Sequence, residues 1–306
     1  MTLSRRVVTE LLEANALRPS RALGQNFVVD ANTLHRIARL AEVGEGTSVV
    51  EIGAGLGSLT IALAETGARV TAVEIDRHLV PILRANVAPF GVRVVEADAL
   101  TLDWEELLGD GAARATAASS TRAVEDGGAG GAMQRWVLVA NLPYNVAVPV
   151  LVRVLDEAPG ITRMLVMVQR EVGERLAAGP GSRAYGAVSV KVAYHAHARV
   201  VGRVPASVFV PRPRVESVLV RIDRRDAVVV DPALVAPGRL FAVVRAGFGQ
   251  RRKMLRRALA GVVTPEGFAA AGVDPAARAE DLDVAAWGRL AAQAVGLPAG
   301  GAGDEP

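Results

Sequence analysis

Five short, valine-rich runs set the architecture open to this chain: Ser48 to Ile52, Arg69 to Val73, Val92 to Glu96, Trp136 to Ala140 and Met164 to Val168. Each is too short for a helix, most lead into Gly, Asp or Asn, and the segments between them carry helical spacing. Strands that are apolar on both faces and alternate with helices form a parallel sheet covered on two sides, so the expected class is α/β. Two later runs, Val188 to Val201 and Ser217 to Ile222, lack a helix-length connector and are expected to pair antiparallel at the sheet's edge. Beyond Asp223 the pattern is helical only, punctuated by Pro232, Pro237, Pro265 and Pro275. A domain boundary is therefore expected near Arg225, dividing the chain into 1–225 and 226–306.

One stretch fits neither pattern. Gly109 to Gln134 is nearly all Ala, Gly, Ser and Thr, with Val124 and Met133 as its large apolar side chains. So little burial cannot offset the entropy of ordering, and a flexible surface insertion is expected.

Composition narrows the function classes. With 51% apolar residues the chain can bury a substantial core, which excludes a disordered polymer. Without cysteine there is no disulfide and no thiolate metal site, and the four histidines (His35, His78, His195, His197) are too few for a histidine-only metal centre. His195 and His197 alternate on what reads as one strand face, with no carboxylate nearby, and no metal is expected. No apolar run approaches the 18 residues of a membrane span, and Glu10 and Glu13 interrupt the N-terminal apolar stretch, so a soluble cytoplasmic protein is expected.

Charge is uneven along the chain. Of the 35 basic residues only Lys191 and Lys253 are lysines, and arginine is the residue of phosphate recognition. From Arg239 to Arg257 the chain carries Arg239, Arg245, Arg251, Arg252, Lys253, Arg256 and Arg257 and no acid, followed by an acid-rich tail. A helical face of this charge repels itself unless a polyanion covers it.

The chemistry-bearing residues sit at the ends of the strands. Glu51-Ile52-Gly53-Ala54-Gly55-Leu56-Gly57-Ser58 follows the first strand and opens a helix, with glycines that let a ligand approach the backbone. A dinucleotide fingerprint wants glycine where Ser58 stands; G-x-G-x-G suits a nucleoside ligand without a pyrophosphate, and an ordinary strand-to-helix turn is the alternative. Val73-Glu74-Ile75-Asp76 ends the second strand. Asp76 reads equally as a helix cap, but a charge at Glu74, on the inner end of an apolar strand, reads better as an acceptor for ribose hydroxyls. Asp98, after the third strand, can accept from an adenine amine or cap a turn.

Asn141-Leu142-Pro143-Tyr144 is the most specific signal. Pro143 lacks an N–H and holds Leu142 extended, leaving the Leu142 carbonyl aimed beyond the strand. Beside it the Asn141 side-chain oxygen makes a second acceptor, and the pair matches the two hydrogens of an exocyclic amine. Two acceptors favour a pyramidal nitrogen whose lone pair can attack a methyl group, and Tyr144 offers a stacking face. Phe209, before Pro211 and Pro213, is either a second stacking wall, as enzymes that act on an extruded base require, or an anchor to the core. Leu23-Gly24-Gln25-Asn26-Phe27 precedes a helix capped by Asp30 that turns Leu34, Ile37, Ala38 and Ala41 to one face.

With these motifs in this order the chain resembles the KsgA/RsmA family, the ribosomal RNA adenine N6,N6-dimethyltransferases. The likeness runs from Arg18 to about Leu259 and is interrupted by the insertion. It implies a Rossmann-like class I methyltransferase sheet with a small all-helical C-terminal domain, S-adenosylmethionine as methyl donor and no metal. It implies cofactor contacts at Asn26, Val28, Gly53, Gly55, Glu74, Asp98, Ala99 and Asn141, and a target-amine site at Asn141, Leu142, Pro143 and Tyr144 faced by Phe209. Its substrate would be two adjacent adenines of 16S rRNA within the immature small ribosomal subunit, acted on by a monomeric enzyme. From the acid-free basic run, Arg251, Arg252, Lys253, Arg256 and Arg257 are expected to dock phosphates of that RNA. Val28 stands where leucine is usual and Ala54 where proline is usual; neither change removes a polar contact. The related Erm methylases of large-subunit RNA share the glycine loop and Asn-Leu-Pro-Tyr, but the stretches from Ala178 to Gly186 and from Gly249 to Leu255 favour the small-subunit family. A non-catalytic RNA-binding assembly factor is the remaining alternative, and the retention of Glu74, Asp98 and Asn141 speaks against it.

Overall fold

A computed structural model describes residues 3–20, 23–109 and 135–295. The expected insertion lies, apart from its first residue, outside them. The elements in order are α1 (Arg5–Ala14), β1 (Phe27–Val28), α2 (Ala31–Ala41), β2 (Ser48–Ile52), α3 (Ser58–Ala64), β3 (Arg69–Glu74), α4 (Val80–Val87), β4 (Arg93–Glu96), α5 (104–109), β5 (Trp136–Asn141), α6 (Ala147–Glu157), β6 (Ile161–Gln169), α7 (Arg170–Leu176), α8 (Ala187–His195), β7 (Ala196–Val204), β8 (Phe209–Val210), β9 (Ser217–Arg224), α9 (Pro237–Gly249), α10 (Leu255–Ala258), α11 (Pro265–Ala271) and α12 (Val284–Ala292).

Seven strands form one sheet in the order β4-β3-β2-β5-β6-β9-β7. The pairs β4/β3, β3/β2, β2/β5 and β5/β6 are parallel, and β9 runs antiparallel to β6. The chain winds outward from β2 to β3 and β4, then returns to place β5 on the other side of β2. Such a reversal opens a crevice at the carboxyl ends of the strands, where ligands of α/β sheets bind.

Period-two alternation supplies both faces of the sheet. Val49, Val137, Val139, Leu165 and Met167 pack on one side with Leu34, Ile37, Ala38 and Ala41 of α2 and Leu59, Ala62 and Leu63 of α3. Helix α2 starts where expected: Asp30 accepts from the Thr33 N–H at 2.8 Å. Leu34 and Ile37 are almost wholly buried, and truncating either to alanine costs about 2–5 kcal/mol.

The residues group into two compact units, Met1–Arg170 with Val200–Asp223, and Glu171–Arg199 with Arg224–Pro306. The chain thus crosses between units near Arg170, Arg199 and Asp223, and residues 171–199 group with the C-terminal helices. The second unit has its own core, in which Tyr185, Val190 and Tyr194 pack with Leu240, Phe241, Val244, Leu255, Phe268, Trp287 and Leu290.

Two local expectations are corrected here. The run from Val188 is not a strand throughout: 187–195 is helix α8, and β7 begins only at Ala196. The Gly186 N–H donates to the Ser189 hydroxyl at 3.0 Å, starting the helix, and Val190 and Tyr194, four residues apart, enter the second unit's core together. That burial overrides the β-propensity of the valines. His195 therefore ends a helix, edge-on to Tyr194, and does not share a strand face with His197. As expected, the two late strands are neighbours at the edge of the sheet, with β9 beside β6 and β7 outermost.

Candidate active site

The carboxyl ends of β2, β3, β4 and β5 converge on two adjoining cavities, both within the first unit. One is lined by Gly24 to Val28, Glu51, Gly53, Gly55, Ser58, Glu74, Ile75 and Asn141 to Tyr144; the other by Gly53, Ile75, Ala97 to Leu100, Pro143, Asn145 and Val150. Gly53, Ile75 and Pro143 border both.

The glycine loop is held from beneath by β3. Gly53 (φ 73°) and Gly55 (φ 58°) adopt left-handed backbone that side chains disfavour. A Cβ on Gly53 would project between the Asn141 carbonyl, at 3.7 Å, and Pro143, into the cavity; one on Gly55 would meet the Phe27 ring at 3.0 Å. The Gly55 N–H donates to Glu74 Oε2 at 2.7 Å and the Asp76 N–H to Glu74 Oε1 at 2.9 Å. Burial raises the Glu74 carboxyl above its usual range, and the backbone donors Asp76 and Gly55 oppose that rise. Each carboxylate oxygen retains a lone pair for a further donor. Asp98 accepts from the Leu100 N–H at 2.8 Å, an Asx turn that shapes the wall also formed by Ala99.

The segment before β1 closes over this loop. Gln25 donates to Asp76 Oδ2 at 2.8 Å and accepts from the Ser20 N–H at 2.8 Å. Phe27 and Val28 pair antiparallel with Val210 and Phe209. Asn141 donates its amide Nδ2 to the Asn26 carbonyl at 2.9 Å. A carbonyl cannot donate, so this bond sets which end of the amide faces Asn26 and leaves Oδ1 as a free acceptor. Leu142 is buried and its N–H is spent on the Met167 carbonyl at 3.1 Å. The Tyr144 hydroxyl lies 3.2 Å from Ser217 Oγ, fixing a half-buried ring at the cavity mouth.

Phe209 is placed differently from the expected stacking wall. It is 1% exposed and packs with Val28, Leu34 and Leu219, because β8 pairing with β1 turns the ring inward. It anchors the floor behind the site. Two lining residues were not anticipated: Ile75, an apolar side chain 47% exposed between two acids, and Glu51, 1% exposed, whose Oε2 has no hydrogen-bond partner.

In the second unit the basic run is divided among α9, which carries Arg239 and Arg245, the turn after it, which carries Arg251, Arg252 and Lys253, and α10, which carries Arg256 and Arg257. Arg239 donates to the carbonyl of Ala291 at 2.8 Å and also to that of Ala294, at the end of α12. Arg251 pairs with Glu280 at 2.7 Å and donates to the Arg183 carbonyl. Arg252, Lys253, Arg256 and Arg257 are exposed. No cluster of metal-ligating side chains occurs among the described residues, and none of their helices is long and apolar enough to cross a membrane.

A sheet of this order, with a glycine loop after β2 and an acid at the tip of β3, is a Rossmann-like class I methyltransferase. The family model described as "Ribosomal RNA adenine dimethylase" matches residues 17–294. A Ribosomal RNA small subunit methyltransferase A from Kineococcus radiotolerans is 47% identical, over 97% of this chain and 95% of its own. Its namesake from Streptomyces coelicolor is 46% identical, over 93% and 94%. Among solved structures, the 23S rRNA methyltransferase ErmE is 25% identical with a TM-score of 0.61, covering 87% of this chain and 98% of its own. A dimethyladenosine transferase from Plasmodium falciparum, at 20% identity, shares the fold with a TM-score of 0.65 over 85% and 94%. The chain belongs to the ribosomal RNA adenine dimethylase family.

Proposed function

We propose that this enzyme dimethylates N6 of two adjacent adenines in the 3′-terminal hairpin loop of 16S rRNA, in the cytoplasm and as a monomer, on the immature small ribosomal subunit. S-adenosylmethionine supplies the methyl groups. The residues present fit that donor: Glu74 has lone pairs for a ribose diol, Asp98 and Ala99 border a slot with Ile75 as an apolar face for a purine, and Gly53 leaves the room a Cβ would fill. Asn26 and Val28, with Gly55, complete the wall over the cofactor.

One observation carries the reading. The Asn141 amide nitrogen is spent on Asn26, so Oδ1 and the adjacent Leu142 carbonyl remain to accept the two hydrogens of an adenine amine. Acceptors fixed before reaction stabilise the pyramidal nitrogen without reorganisation. Pro143 holds the turn, and the Tyr144 ring stacks on the base. Loop adenines of RNA are unstacked and reach such a site readily. Arg252, Lys253, Arg256 and Arg257 supply phosphate contacts that position the RNA, with Arg251 tied to Glu280 behind them.

The relatives named for the small subunit favour this substrate over the large-subunit RNA of the Erm enzymes. The test is transfer of tritium from labelled cofactor to immature small subunits lacking the modification, with mass spectrometry reading the adenines. Label on large-subunit RNA alone, or cofactor and RNA binding without transfer, overturns the reading.

A further inference from the structure

The wall of the purine slot that carries Asp98 and Ala99 is neither helix nor strand: residues 97–103 form a loop between β4 and α5. The Ala97 N–H donates to the Glu74 carbonyl at 3.1 Å, which ties the start of the loop to β3. Beyond that point the backbone bonds are local. The Asp98 carbonyl accepts from the Thr101 and Leu102 N–H groups at 3.0 and 2.8 Å, and Asp98 Oδ1 from the Leu100 N–H. These bonds shape a turn without fixing it to its surroundings.

Arg153 of α6 supplies the tie. Its Nη1 donates to the Ala99 carbonyl and its Nη2 to the Leu102 carbonyl, both at 3.2 Å, across 54 and 51 residues of chain. Glu157, one helical turn further on, accepts from Nε at 3.0 Å and also pairs with Nη2. A planar guanidinium with five donors can hold a carboxylate on one side and two carbonyls on the other; an ammonium cannot. An ion pair of this spacing on a partly exposed helix contributes little by itself, so the two carbonyl bonds are where Arg153 acts. The Glu157 bond raises the guanidinium pKa, burial opposes that in part, and the negative Asp98 adds to the rise. Val146 and Val150 line the same slot, Val150 three residues before Arg153. Helix α6 therefore supplies apolar lining to the slot and holds the loop that forms its polar wall.

We propose that Arg153 is a positioning residue for the adenine end of the cofactor, holding the Asp98 to Leu102 turn so that the Asp98 carboxylate meets the adenine amine. The inference rests on the cofactor site described above, with Asp98 as its adenine acceptor. Without Arg153 the turn must be ordered when the ligand binds, and that cost falls on affinity, not on the chemical step. Because what is lost is the aim of one acceptor, the loss is greatest for a base that has an amine to offer.

The test is titration calorimetry of the full chain with S-adenosylhomocysteine and with S-inosylhomocysteine, in which a carbonyl replaces the amine. The wild-type chain should prefer the adenosyl ligand by about tenfold or more, as a site built to accept from an amine rejects the analogue without it. Arg153→Ala is expected to weaken the adenosyl ligand by about tenfold and the inosyl ligand by less, so the ratio narrows. In turnover the KM for S-adenosylmethionine rises while kcat at saturating cofactor stays near that of the wild type. Arg153→Lys keeps the charge but not the fork, so its ratio falls between the two, and this variant carries the test if the alanine chain does not fold. A ratio as wide as the wild type's in every folded variant, or a fall in kcat with KM unchanged, overturns the proposal while leaving the cofactor site standing. A wild-type chain that binds the two ligands alike overturns Asp98 as the adenine acceptor, and one that binds neither overturns the cofactor site itself.

Discussion

The side-chain nitrogen of Asn141 donates to the backbone carbonyl of Asn26 at 2.9 Å, across 115 residues of chain. This bond ties the segment before β1 to the tip of β5 and orients the amide. Asn141 is therefore held in one orientation by the fold itself.

Asn141→Ala is expected to lower turnover by about 10²-fold, in the range for removing one preorganised group from a transition state. Cofactor affinity should fall much less. Equal losses in kcat and in cofactor affinity would remove Asn141 from the amine site. Asn141→Asp should be no milder, since its carboxylate would face the Asn26 carbonyl without a proton to donate.

Glu74→Ala should weaken S-adenosylmethionine binding by about 1.5–3 kcal/mol, the range for hydrogen bonds to a charged group. It also strands the Gly55 and Asp76 N–H groups, so Tm should fall together with affinity. Calorimetry and a melting curve on the same preparation check both. An unchanged affinity in the folded variant would end the ribose role.

Gly55→Ala places a methyl group 3.0 Å from the Phe27 ring on backbone with positive φ. The expected cost is about 1–3 kcal/mol in stability, with the segment over the cavity displaced. A variant that melts and binds cofactor like the wild type would show that Phe27 yields freely.

In the cofactor-free protein Glu51 holds its proton more tightly when folded than when unfolded. Its contribution to stability is fully present below about 4.5 and is lost as pH rises toward about 8. Between pH 5 and 8 the Tm of the wild type should fall relative to that of Glu51→Gln. Parallel Tm profiles would mean that the acid titrates normally.

The basic residues differ in their contacts: Arg251 is paired, whereas Arg256 and Arg257 are exposed. Arg251→Ala should cost about 1 kcal/mol or less, as a partly exposed pair with Glu280, and appear in melting. Neutralising Arg256 and Arg257 together should leave Tm nearly unchanged and reduce the salt slope of RNA binding by roughly 0.7–0.9 per contact. An unchanged slope would place the RNA elsewhere.

Residue type and local order were enough to place the parallel strands, the glycine loop, Glu74 and the Asn141 to Tyr144 turn, because each is decided within a few neighbouring positions. Val-rich runs bury both faces wherever they sit, and Pro143 restrains Leu142 whatever surrounds it. Tertiary structure alone decided the rest. Phe209 became a core anchor because β1, about 180 residues earlier, pairs with it. Residues 187–195 became helix because Val190 and Tyr194 share a core with Phe241. Arg251 left the basic face because Glu280, 29 positions away, folds back to it. Glu51 reads in the sequence as the acid before a glycine turn, and only burial beside Glu74 raises its carboxyl. A pKa depends on solvation and on neighbours in space, and neither is written in the residues beside it.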